Sequence, residues 1–162
     1  MMVLRHFTNA DIPALQALLN DSEVTRYLSS KIPQPYGEED ARWWVQEGSV
    51  QGVIRAIESD GQLAGCVGVL PGQFEYARTG ELGYWLGRQF WRQGITAEAV
   101  RQLVAVTFAT TDIERIFATV FAPNQPSMAL LRKVGFEQEA VLKRAICKNG
   151  VFYDSHIFAR LK

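Results

Sequence analysis

Two short stretches of the chain carry residue types whose spacing could do chemistry. The first is Gln89-Phe90-Trp91-Arg92-Gln93-Gly94-Ile95-Thr96-Ala97-Glu98-Ala99, in which a helix pattern opens at a glycine. The first turn of a helix leaves its backbone N–H groups without partners and carries a partial positive charge. Glycine lets another group approach that backbone closely. Together these make a site for a pyrophosphate, and Arg92 adds a formal positive charge beside it. A helix start capped by glycine, with no ligand, fits the same residues. The stretch is not a Walker loop, because no Gly-Lys-Ser/Thr follows, and it lacks the three spaced glycines of a dinucleotide fingerprint. The second stretch runs from Phe121-Ala122-Pro123-Asn124 through Ser127 to Val134-Gly135-Phe136. Asn124 and Ser127 are three apart at a helix start and can share one face. Helix capping by Asn124 is the simpler account of that spacing alone.

The elements that must position these residues follow from periodicity and punctuation. Residues 2–7 alternate as a strand, and Ile12, Leu15, Leu18 and Leu19 recur at helical spacing over 9–20, with Thr8 and Asp11 three apart at the start. Residues 29–37, with Pro33, Pro35 and Gly37, read as a loop, and 38–47 as a second helix opening on acidic residues. Strands are expected at 52–58 and 62–70, joined by Asp60-Gly61, since both residues tolerate positive φ. Gly65 and Gly68 in the second of these imply close approach of a neighbouring backbone. Further strands are expected at 80–87 and 115–121, with a helix over 94–110 between them. A helix to about Val134 stops at Gly135, a left-handed cap. The chain closes on strands 137–148 and 151–160 around Asn149-Gly150. An antiparallel run of strands precedes one strand–helix–strand unit over 80–121, which makes its two strands parallel neighbours. The expected fold is α/β of mixed type: a largely antiparallel seven-stranded sheet with helices on both faces, in one domain over residues 1–162.

Composition bounds the function. Seventeen Lys plus Arg balance seventeen Asp plus Glu among 162 residues, which argues against a protein built to coat nucleic acid. No apolar run reaches the ~18 residues of a membrane span, and the N-terminus lacks a signal-peptide layout. Two cysteines, Cys66 and Cys147, and two histidines, His6 and His156, give no disulfide framework and no cysteine- or histidine-rich metal site. The expectation is a cytoplasmic protein without a metal, without direct nucleic-acid or membrane partners, and with an oligomer still open.

In this order and about thirty residues apart, the two stretches resemble the GNAT superfamily of N-acetyltransferases, and more closely its RimJ/RimL-type ribosomal-protein N-terminal acetyltransferases. Glu81-Leu82-Gly83-Tyr84-Trp85-Leu86 is similar to that group's central strand, Trp91 to Ala99 to its acetyl-CoA loop, and Pro123-Asn124-x-x-Ser127 with Leu131 to Phe136 to its fourth helix. The opening Arg5-His6-Phe7 and the closing hairpin also fit, so the likeness covers nearly the whole chain. Two departures stand out. Arg92 stands where glycine is commoner. Leu131 holds the place of a tyrosine that many superfamily members use as general acid, leaving Ser127 as the candidate near the leaving sulfur.

The resemblance implies transfer of an acetyl group from acetyl-CoA, the co-substrate, directly to a primary amine, with a protein N-terminal α-amine as the first choice of acceptor. Its phosphates and pantetheine would be held by Trp91, Arg92, Gln93, Gly94, Ile95, Thr96 and Ala97, by Asn124 and Ser127, and by the strand at Tyr84, Trp85 and Leu86. Backbone N–H groups around Tyr84 and Trp85 would stabilise the acetyl oxygen. The amine must lose a proton before it attacks, because its pKa is about 8 for an α-amine. Glu81 is the candidate base, with Glu75 and the acidic residues of the second helix as others, and a plain surface carboxylate is an equal reading of Glu81. Trp43, Trp44 and Tyr36 lie where related enzymes build the acceptor pocket. Adjacent tryptophans on a helix cannot share a face, so one belongs to the core and the other to the groove. His6, His156 and the cysteines read as structural, and Lys143, Arg144 and Lys148 as a solvated strand face. Two rivals remain: an acetyltransferase for a polyamine or amino-sugar, which would want clustered carboxylates, and a non-catalytic acyl-CoA sensor, which would not need Glu81 or Ser127.

Overall fold

The computed structural model describes all 162 residues, Met1–Lys162. Seven strands form one sheet: β1 (Met2–Arg5), β2 (Val53–Ser59), β3 (Gln62–Pro71), β4 (Thr79–Leu86), β5 (Arg115–Phe121), β6 (Glu137–Lys148) and β7 (Val151–Leu161). Their spatial order is β1-β2-β3-β4-β5-β7-β6. Only β4 and β5 run parallel; every other pair is antiparallel. The helices are α1 (Ile12–Leu19), α2 (Ser22–Thr25), α3 (Glu38–Gln46), α4 (Ile95–Thr110) and α5 (Gln125–Lys133).

Alternation along the strands divides the core in two. Val67, Val69, Leu82 and Leu86 face α4 and α5, whose Val100, Leu103 and Leu131 are fully buried against them. Ile54, Ala56, Cys66 and Trp85 face the other way, onto Leu15 of α1 and Ala41 of α3. The helices therefore cover both faces. Asp60 and Gly61, and Asn149 and Gly150, all take positive φ, the conformation that lets a two-residue turn match the twist of its strands. A Cβ on Gly65 would lie 2.2 Å from the Trp85 carbonyl oxygen, so only glycine lets β3 and β4 close at that point.

The first strand is shorter than the alternation over 2–7 predicts, and α1 begins at Ile12, after a 3-10 turn over Asn9–Asp11. The cause is a polar knot at the strand's end. The Arg5 guanidinium donates to both carboxylate oxygens of Asp11, at 2.9 and 2.8 Å, and to Glu58 at 2.7 Å. The Thr8 N–H donates to Asp11 at 2.9 Å. Burial would raise the Asp11 carboxyl, but the Arg5 guanidinium and the Thr8 N–H outweigh it and hold it below the usual range. A carboxylate depressed in the folded state contributes stability above its unfolded pKa of about 3.9, and that contribution is lost as the pH falls through the folded value. Asp11→Asn is therefore expected to cost about 2 kcal/mol at pH 7, less than for a fully buried pair because Arg5 stays partly exposed. In urea titrations the gap between variant and parent narrows as the pH falls below the usual carboxylate range, and a pH-independent gap would assign the loss to packing instead.

Candidate active site

β4 and β5 pair only at Thr79–Arg115, Gly80–Ile116 and Glu81–Phe117, and then diverge. Beyond Glu81, β4 keeps β3 on one side and has no strand on the other. The Gly87 N–H donates to Ala64 at 2.7 Å on the β3 side. Antiparallel pairs alternate, so the backbone groups of Trp85 and Gly83 also face β3, while those of Leu82, Tyr84 and Leu86 face the gap. This corrects the expectation that the Trp85 N–H is available: within the Tyr84–Trp85 pair, only Tyr84 turns its N–H into the opening. The Leu86 carbonyl already accepts the Trp91 indole N–H at 2.8 Å, which fixes Trp91 across the end of β4.

The gap opens into a cleft of about 740 Å³ between the first turns of α4 and α5. Arg92 and Gly94 both have left-handed φ, 62° and 74°, and turn the chain into α4. No backbone or side-chain acceptor within the protein meets the N–H groups of the six residues from Arg92 to Ala97. The first bond of the helix is Glu98 N–H to the Gly94 carbonyl. Trp91, Arg92, Gly94, Ile95, Thr96 and Ala97 all line the cleft. The Gln93 side chain is not on that wall, because its amide folds back onto the Gln89 carbonyl at 3.3 Å, while its backbone N–H is one of the six without an acceptor.

From the opposite wall, Asn124 stands at the N-cap of α5 but makes no side-chain capping bond, so its amide is left facing the cleft. Ser127, in the first turn of α5, shares a hydrogen bond with the Tyr84 hydroxyl, which reaches across from β4. Burial pushes the Tyr84 phenol up to about 12, against the opposing pull of its bond to Ser127. The sequence pointed to Tyr84 for its backbone. Its hydroxyl was missed because 43 residues separate it from Ser127. Leu131, at the place of the tyrosine that the resemblance would lead one to expect, is fully buried.

A third wall escaped the sequence reading. Glu23, Val24, Arg26, Tyr27 and Leu28, in and just after α2, also line the cleft. The signal was Asp21-Ser22-Glu23, where the Asp21 carboxylate accepts the Glu23 N–H at 3.0 Å. Arg88 ties Asp21 to the chain that leaves β4. Lys148, expected to be a solvated side chain, instead donates to the carbonyls of Thr25, Arg26 and Leu28 at 2.7, 3.1 and 2.6 Å. The last hairpin thereby holds this wall in place.

On the opposite face of the sheet lies a second cavity of about 260 Å³, meeting the first at Leu28, Tyr84 and Trp85. Glu81 lines it and pairs with no cation. Trp44 lines it and packs edge-on against Phe7, with ring centroids 5.8 Å apart, while Trp43 is half exposed. Tyr36 is also on its wall. Glu75 lies in an exposed turn and lines neither cavity. Glu38 and Glu39 pair with Arg42, and Asp40 accepts the Gly37 N–H at 2.8 Å, so the acids of α3 serve their own helix. Cys66 is buried, which pushes its thiol up to about 12 and leaves it protonated. His156 meets Gln138 at 3.2 Å on the far hairpin.

A split between parallel strands, a ring of unpaired N–H groups at a helix start and two cavities meeting at one strand define an acyl-transfer scaffold. The model of the acetyltransferase (GNAT) domain matches residues 2–137, and the chain belongs to that family of N-acetyltransferases. It is 30% identical to the uncharacterized N-acetyltransferase YoaA of Bacillus subtilis (strain 168), over 99% of this chain and 93% of the relative. Its fold superposes with a TM-score of 0.87 on RimL, a ribosomal L7/L12 α-N-protein acetyltransferase in complex with coenzyme A, at 24% identity over 99% of this chain and 93% of that one. The ribosomal-protein-alanine N-acetyltransferase of Brucella melitensis gives 0.84 at 26% identity, over 99% of both chains.

Proposed function

We propose that this N-acetyltransferase takes acetyl-CoA in the larger cleft and passes its acetyl group directly to a primary α-amine, the N-terminus of a protein, presented from the smaller cavity. The observation that carries the reading is the run of six N–H groups from Arg92 to Ala97 with no acceptor in the protein, which matches the donors a pyrophosphate needs. Arg92 adds charge beside them. The Asn124 amide, unused as a cap, bonds the pantetheine, and the Tyr84 carbonyl with the Leu86 N–H pairs with it as a strand would.

The acetyl thioester supplies an activated carbonyl. Glu81, unpaired on the acceptor side, takes the amine proton, directly or through a water, and frees the lone pair. As the N–C bond forms, the Tyr84 N–H donates to the acetyl oxygen, which gains negative charge. As the C–S bond breaks, the Ser127–Tyr84 hydroxyl pair donates toward the sulfur that leaves. Tyr84, its phenol held up at about 12, keeps its proton at neutral pH and so remains a donor. No side chain is acylated on the way.

Acetyl-CoA at about 100 times its dissociation constant adds ~2.7 kcal/mol to the folded state, or roughly 5–10 °C in Tm for a chain of this size. Adenosine, which lacks the pyrophosphate, shifts it less. Thiol release from acetyl-CoA then appears when a peptide with a free N-terminus is added, and stops when that N-terminus is blocked. An unchanged Tm at millimolar acetyl-CoA would overturn the cofactor assignment.

A further inference from the structure

The floor of the smaller cavity is made by what two strands omit. Directly opposed residues of β3 and β4 share a face of the sheet, and here Leu70 faces Glu81, Gly68 faces Gly83, and Cys66 faces Trp85. The central pair has no side chains, so a hollow lies between a carboxylate at one end and an indole at the other. A Cβ on Gly83 would meet nothing within 4 Å, whereas one on Gly68 would strike Ile54 at 2.7 Å. The hollow therefore opens over Gly83. Leu28, Ile32, Tyr36 and Trp44 close it from the helix layer. Glu81 is the only charged residue on its wall. Burial pushes both the Tyr36 phenol and the Cys66 thiol up to about 12, so neither adds charge.

We infer that this hollow receives an apolar or aromatic side chain carried next to the reacting amine, so that the acceptor is a primary α-amine whose own residue is hydrophobic. The inference deepens the reading above and rests on it, since it takes β4 as the divider between acetyl donor and acceptor. One carboxylate matches one ammonium. A polyamine or amino-sugar would leave its further cations against Leu, Ile and Trp, where an unpaired charge is costly. At about 30 Å³ per water, the volume admits roughly nine water-sized groups, which is one side chain with its amine. The same chemistry is offered by a free amino acid and by the first residue of a peptide.

The test measures kcat/KM with acetyl-CoA for L-phenylalanine, L-serine, a Phe-Ala-Ala and a Ser-Ala-Ala peptide, spermidine and kanamycin, in the parent protein and in Gly83→Leu. Burying one apolar side chain predicts a preference of tenfold or more for the phenylalanyl member of each pair. Gly83→Leu fills the hollow and removes that preference at least tenfold, while the acetyl-CoA shift in Tm stays as in the parent, showing that the variant folds. Equal rates for the phenylalanyl and seryl members overturn this inference alone. Turnover of free phenylalanine but not of its peptide upholds the inference and removes the protein N-terminus as acceptor. Spermidine or kanamycin turned over faster than every α-amine overturns both.

Discussion

Gly94→Asp abolishes acetyl-CoA binding and leaves the protein folded. Gly94 has φ of 74°, a conformation that asparagine and aspartate enter more readily than most residues, and a Cβ there meets nothing within 4 Å. The substitution thus costs little in the fold. It sets a carboxylate beside the N–H groups meant for phosphate, and like charges brought together this way cost several kcal/mol, or about a thousandfold in Kd. Gly94→Asn supplies the same shape without charge and is expected to bind within about tenfold of the parent. Calorimetric titration with acetyl-CoA decides the matter. If the Asp and Asn variants bind equally, charge at this turn is irrelevant and the pyrophosphate lies elsewhere.

Ser127→Ala and Tyr84→Phe are each expected to lower kcat about a hundredfold, the lower end of what a positioned proton donor contributes. Neither should change the affinity for acetyl-CoA by more than about threefold, because the hydroxyl pair meets the sulfur chiefly as charge develops on it. Each side chain relies on the other, so the double variant should lose hardly more than either single one. Additive losses would mean two separate tasks. A loss confined to binding would make Ser127 an ordinary contact of the cofactor.

The residues around this site differ in how far the sequence could reveal them. The turns at Asp60-Gly61 and Asn149-Gly150 were legible because their signal lies in two adjacent residues whose φ preferences decide the conformation. The glycine opening α4 was legible for the same reason, and so was the parallel pairing of β4 with β5, which one connecting helix enforces. Spacing alone left Asn124 open between cap and ligand; the structure shows an N-cap position with its side chain unspent. The choice between Trp43 and Trp44 depended on Phe7, a residue far along the chain, and no local pattern encodes that neighbour. Tyr84 with Ser127, and Lys148 with the end of α2, are contacts across 43 and more than 100 residues. Periodicity places each partner on a face but cannot say which face meets which. Four-residue α2 has too few turns to show a period, and its hold on the site comes from Lys148 and Arg88 rather than from its own composition.

A strand edge with unmet backbone groups invites other chains to add to it, and proteins guard such edges against aggregation. This sheet treats its two kinds of edge differently. Of the two outer edges, β1 is only four residues long, and β6 is broken by register shifts at Gln138/Ala140 and Leu142/Ile146, with Arg144 at φ 53° and charged Lys143 beside it. That second strand is spoiled as a template. The inner edge of β4 keeps a straight register with β3 and unspent polar groups. It needs no such spoiling, because β5 and the first turns of α4 and α5 stand around it. The same divergence of two strands that frees these backbone groups sets them inside a cleft rather than along the rim of the sheet.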